Sequence, residues 1–125
     1  MTLFAAITVK AQAPVATPQE AITGQLDRIG GKGASDKFVT VVDSSLAGAN
    51  GEDAFVITSQ DGKPCIKGNS VLSVATGINW YLNHYAHINL TWNNLTTDLT
   101  TVSLPVPAAE EKRTSSAAYR YDFNT

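Results

Sequence analysis

The dipeptide Asp61-Gly62 constrains the fold of this chain more than any other feature. It lies between Asp53 to Gln60 (DAFVITSQ) and Lys63 to Lys67 (KPCIK), two runs that read as strands. Asp-Gly between such runs signals a two-residue hairpin, because both turn residues take positive φ and these two types tolerate it. The two strands are therefore expected to pair antiparallel. Pro64 has no N–H to give to a ladder, so the returning strand should be an edge or pair on one side only at that residue.

The strongest helical pattern follows the hairpin directly. Gly68-Asn69-Ser70 leads into a helix expected over Ser70–Tyr85. At about 100° per residue, Val71, Val74, Ala75, Ile78, Tyr81, Leu82 and Tyr85 share one face. Trp80 points away from them, among Asn69, Ser73, Asn83 and His84. A large aromatic on a polar face calls for a second packing surface. An earlier helix is expected over Pro18–Ile29. Thr17 caps it, Glu20 completes a capping box, and Ala21, Ile22, Leu26 and Ile29 form its apolar stripe. Gly30-Gly31-Lys32-Gly33 ends that helix. No strand precedes these glycines and no Lys-Ser/Thr pair closes them, so they read as a helix exit and not as a phosphate loop.

Further strands are expected at Phe38–Asp43 (FVTVVD) and His87–Trp92 (HINLTW). The order helix, strand, hairpin, helix, strand predicts an α+β fold: a small, mostly antiparallel sheet of about four strands with two helices on one face.

The chain has 125 residues, room for one domain, and its 43% hydrophobic content is enough for a core. Residues 14–107 are expected to form that domain. Residues 1–13 resemble the remnant of a signal peptide: Leu3–Val9 (LFAAITV) is a short apolar run, and Ala11-Gln12-Ala13 fits a small-x-small cleavage site. No basic residue precedes the run, and Lys10 follows it. The reading implies export. The run is too short for the roughly 20 residues of a membrane span. Residues 108–125 read as a linker and the start of something else. A proline strap, Leu104 to Pro107, is followed by a charged stretch, Glu110 to Ser116, and by an aromatic one, Tyr119 to Phe123 (YRYDF).

Candidate chemistry is sparse. A net charge of −2 gives neither nucleic acid nor an anionic membrane surface a basic stripe to bind. The single cysteine, Cys65, excludes an internal disulfide and reads as a small core residue. Glu110-Glu111 are neighbours on a linker, whereas glycosidase acids converge from separate elements, so these read as solvated charges. His84 and His87 have no further ligand nearby in sequence, and His84 suits a helix C-terminus. No serine sits in a G-x-S-x-G elbow. Asn89-Leu90-Thr91 and Asn94-Leu95-Thr96 match the glycosylation sequon, which matters only in a eukaryotic secretory pathway. No catalytic residue, metal ligand or cofactor site is expected within the chain.

The pieces Asp61-Gly62, Ile66-Lys67-Gly68-Asn69, Gly77-Ile78-Asn79-Trp80-Tyr81-Leu82, His84 to His87 and Trp92, in this order, resemble the amino-terminal domain of the α-N-acetylglucosaminidases, family 89 of the glycoside hydrolases. The resemblance runs from Glu20 to Asn124. It implies a parent enzyme that removes terminal α-linked N-acetylglucosamine with retention, using two glutamates on a downstream (β/α)8 barrel. It implies that Asn124, just after the Tyr-Arg-Tyr segment, lies at the sugar site. The barrel would be this domain's partner and Trp80 its contact with it. Two alternatives are an independent glycan-binding module using Trp80 and Trp92, and a companion domain of another hexosaminidase-type hydrolase.

Overall fold

The computed structural model describes residues 15–91 and 93–115. The readings placed on Met1–Ala13, Trp92 and Asn124 lie outside these residues. Helix α1 spans Pro18–Gly30, strand β1 Val39–Val42, β2 Ala54–Gln60, β3 Lys63–Gly68, helix α2 Val71–His84 and β4 Glu111–Thr114. The sheet order is β1-β3-β2-β4. β2 pairs antiparallel with both β3 and β4, and β1 pairs parallel with β3. The fold is α+β, with a mixed, mostly antiparallel sheet.

Local chemistry sets the element ends. In α1, the Thr17 hydroxyl accepts from Glu20 N at 3.2 Å, and the Glu20 carboxylate accepts from Thr17 N at 2.8 Å. The expected capping box is thus complete. Asp61 and Gly62 take φ of 53° and 72°, the two positive values that the hairpin turn demands. Ser70 caps α2 by accepting from Ser73 N at 3.1 Å. β3 is an inner strand, not an edge. Its pairing with β1 starts only at Cys65, so Pro64 is paired on one side, with Ser59 of β2, and its missing N–H costs no bond.

Both helices lie on one face of the sheet. α2 approaches so closely that Gly68 and Gly77 have no room for a side chain. A Cβ at Gly68 would stand 2.6 Å from Val74 N, and one at Gly77 would stand 2.7 Å from Ile66 Cγ2. Phe55, Ile57 and Ile66 of the sheet meet Val74, Ile78, Tyr81 and Leu82 of α2 and Ile22 and Leu26 of α1 in one buried cluster. Asn69 ties the turn before α2 to the start of β2. Its side-chain oxygen accepts from Ala54 N at 3.0 Å and from the Ser73 hydroxyl at 2.6 Å. The Gly68-Asn69 pair thus has a job in packing: one residue lets the helix in and the other fastens it.

Two segments depart from expectation. Residues 87–91, the described part of the expected strand His87–Trp92, do not join the sheet. His87 has φ 56°, Ile88 N returns to Leu82 O at 2.7 Å, and Thr91 makes only an isolated bridge to Asn94. Ile88 and Leu90 do pack on the core, which explains their alternation without any ladder. The fourth strand is Glu111–Thr114, taken from the stretch expected to be a charged linker. Between them the strap is bound to the domain. Leu99 is fully buried, Thr97 N and Leu99 N donate to Ile29 O and Gly30 O, Lys37 Nζ reaches Val102 O at 2.6 Å, and the Tyr81 hydroxyl donates to Pro105 O at 2.5 Å.

Leu99→Ala should therefore cost about 2–5 kcal/mol in denaturant melts, the range for a truncated core leucine. A surface linker residue would cost almost nothing. Burial pushes the Tyr81 phenol up to about 12. Below pH 10 the phenol is protonated in both the folded and unfolded states. Above it the unfolded phenol ionises first, so stability should fall from about pH 10 toward 12 by at most about 1.4 kcal/mol per pH unit. Tyr81→Phe should flatten that alkaline limb and cost about 1 kcal/mol at neutral pH.

Candidate functional site

The register between β2 and β4 decides which way the charges of β4 point. Glu111 lies opposite Ile57 and Arg113 opposite Phe55, and both partners face the helices. Residues directly opposite in an antiparallel pair share a face, so Glu111 and Arg113 project toward α2. There they meet Trp80. Its indole N–H donates to the Glu111 carboxylate at 2.6 Å. The Arg113 guanidinium lies over the indole, 4.6 Å from the ring centroid. His84 stacks on the same ring at 3.9 Å and 16°, and Phe55 packs against it at a 6.0 Å centroid distance. The contact of His84 Nδ1 with Trp80 O at 3.0 Å places the proton on that nitrogen, since a carbonyl can only accept.

Trp80 was expected to lack a partner within this chain. Instead it is half-buried against β4, and it lets a charged strand close an apolar core. Glu111, expected to be a solvated charge, anchors the indole. It also pairs with Arg113 at 3.5 Å, across side chains 29% and 52% exposed, so that ion pair is worth about 1 kcal/mol or less. The Tyr85 phenol is pushed up by burial first and then by the negative charge of Glu111, with Arg113 opposing. The cluster's field thus reaches the end of α2. Nothing in Glu111-Lys112-Arg113-Thr114 alternates apolar with polar. The only sequence signal for this cluster was the misplaced look of Trp80.

Between α2 and β4, beside this cluster, lies a cavity of about 520 Å³. Phe55 and Trp80 line it together with Asp53, Ser73, Thr76 and Arg113. Glu111 and Arg113 pair beside it, and no group of three or more His, Cys, Asp or Glu that could hold a metal occurs among the described residues. Cys65 is fully buried, and burial pushes its thiol up, which disfavours the thiolate a nucleophile needs. The Trp80 ring has two partners within the chain, His84 stacked on it and the Arg113 guanidinium over it. The structure brings Trp80 together with β4. Asn124 and Trp92 lie outside the described residues.

If Trp80 holds β4 in place, Trp80→Ala should destabilise the chain by about 2–3 kcal/mol, below the range for a fully buried tryptophan. The amides of Glu111–Thr114 should lose protection from hydrogen exchange before those of β3 do. Equal loss across the whole sheet would show that Trp80 acts on the core and not on the edge strand.

The comparisons with known proteins agree with this fold. Residues 20–106 match the family model of the alpha-N-acetylglucosaminidase (NAGLU) N-terminal domain. No curated protein matches the sequence. Among solved structures, the chain resembles a family 89 glycoside hydrolase from Clostridium perfringens. In the complex of that enzyme with PUGNAc the TM-score is 0.71 at 26% identity, covering 84% of this chain and 12% of that one. A doubly substituted form bound to its substrate GlcNAc-alpha-1,4-galactose gives TM-score 0.71, 26% identity and coverage of 83% and 12%. The complex with 2-acetamido-1,2-dideoxynojirmycin gives 0.68, 28%, 83% and 12%. The chain thus spans about 12% of the length of the structures it matches. It belongs to the family of α-N-acetylglucosaminidase N-terminal domains, those of glycoside hydrolase family 89.

Proposed function

We propose that this chain is the non-catalytic amino-terminal domain of an exported α-N-acetylglucosaminidase, packing against and supporting a downstream catalytic (β/α)8 barrel. The observation that carries the reading is the family match over residues 20–106 together with the small share of each related structure that the domain spans. On this reading the barrel hydrolyses terminal α-linked N-acetylglucosamine with retention, using two glutamates beyond this sequence. Asn124 contributes to the sugar site where the chain enters the barrel. Trp80 lies toward the barrel, and Met1–Ala13 is the residue of an export signal.

The domain's chemistry supports a structural role. Among the described residues, the cluster of Trp80, His84, Glu111 and Arg113 holds β4 through the indole hydrogen bond and the cation over its ring. Retaining hydrolysis needs two carboxyl groups about 5 Å apart on either side of a glycosidic bond. Glu111 is committed to an indole and a guanidinium.

The purified 125-residue chain should show no turnover of an aryl α-N-acetylglucosaminide, whereas the polypeptide extended through its barrel should. Turnover by the short chain would overturn the non-catalytic reading. Failure of the extended polypeptide on α-linked N-acetylglucosaminides, with activity on another hexosaminide, would assign the domain to a different hydrolase.

A further inference from the structure

We infer that Asn50 is a site of spontaneous covalent modification, and that the neighbouring Glu52 carboxylate holds the reaction in check. This chemistry belongs to the chain itself and does not depend on the companion-domain reading. Asparagine deamidates when the backbone nitrogen of the next residue reaches its side-chain carbonyl carbon. The nitrogen of a glycine reaches it most readily, because no Cβ stands in the way. Of the asparagines in the sequence, only Asn50 precedes a glycine. Asn50 and Gly51 are both exposed. They lie in the turn between β1 and β2. Gly51 has φ 79°, and a Cβ placed there would meet nothing within 4 Å.

In the reaction the Gly51 nitrogen gives up its proton and bonds to Asn50 Cγ. The Cγ–Nδ2 bond breaks, and the side-chain nitrogen leaves as ammonia, carrying that proton. Water then opens the five-membered imide at either carbonyl. The product is an aspartate or an isoaspartate at position 50, with one new negative charge. Water is the only other reactant.

The folded turn opposes each step. Gly51 N donates to Gly48 O at 2.9 Å, and Gly48 N donates to Glu52 O at 2.8 Å. The Glu52 carboxylate accepts from Asn50 N at 2.9 Å and from Asn50 Nδ2 at 3.1 Å. The bond to Nδ2 restrains the side chain whose carbon must meet the Gly51 nitrogen. The negative charge next to Gly51 also disfavours loss of its proton. The clasp is lost for good once the reaction has run. A carboxylate at position 50 has no side-chain N–H to give and faces Glu52 with like charge. Asn69 provides the contrast. It precedes Ser70, and its side chain accepts from Ala54 N and the Ser73 hydroxyl and donates to Asp53 at 3.3 Å.

The test incubates the full 125-residue chain at mildly alkaline pH. Peptide mass spectrometry follows the conversion, with electron-transfer fragmentation separating aspartate from isoaspartate. The expected result is conversion at Asn50 while Asn69 stays intact. Glu52→Ala should raise the Asn50 rate about tenfold, the worth of one charge-assisted hydrogen bond. Glu52→Gln keeps an acceptor without the charge and should raise it less. Circular dichroism checks that each variant is folded, and if Glu52→Ala is not, Glu52→Gln decides alone. The site is overturned if Asn50 survives as long as Asn69. The guarding role of Glu52 is overturned if Asn50 converts no faster in the folded variants than in the unaltered chain.

Discussion

Everything in this fold hangs on how closely α2 lies on the β2–β3 hairpin. At Gly68 and Gly77 the helix and sheet approach within distances that exclude even a methyl group. That contact brings Val74, Ile78, Tyr81 and Leu82 onto Phe55, Ile57 and Ile66 in one cluster. α1 adds Ile22 and Leu26 to the same side. The geometry leaves α2 with two further duties. Its middle holds the strap, through Tyr81 and Pro105, and its outer flank holds β4, through Trp80.

The parts of the fold made from neighbours in sequence could be read from the sequence. Thr17 with Glu20, Asp61 with Gly62, and Ser70 before an apolar stripe each specify a boundary, because cap and turn chemistry is local. The helices accordingly end within a residue or two of where the residues place them. What depended on distant partners was not legible. Ile88 and Leu90 alternate as a strand would, yet the backbone of His87 turns into the left-handed region and, among the described residues, the segment's one bridge is Thr91–Asn94. Leu99 sits in a threonine-rich run that reads as linker, yet it is fully buried. Burial there comes from the end of α1, far away in sequence.

The same contrast explains Trp80. Helical geometry correctly set it off the main apolar stripe, and the need for a second surface was correctly inferred from its size. Sequence could not say that the surface would be a four-residue strand from the far end of the chain. Edge strands carry charge because an apolar edge invites aggregation. Such a strand therefore lacks the pattern by which strands are found. Here Glu111 and Arg113 both face inward, and the indole satisfies one by hydrogen bonding and the other through its ring.

A strand held in this way sets more than its own position. In antiparallel pairing a one-residue slip would turn Glu111 and Arg113 to the opposite face and bring Lys112 and Thr114 to the indole. Neither could reproduce both contacts, since lysine offers no acceptor to the indole N–H and threonine no cation to the ring. The register of β4 is thus selected by Trp80, and with it the point where the chain leaves the sheet. Ser115 N donates to Asp53 O at 2.7 Å, which fixes that exit against the entry of β2. On the proposed companion reading, a defined exit matters as much as a stable core: a chain that left the sheet in several registers would present its neighbour in several positions, and a complementary surface fits only one of them.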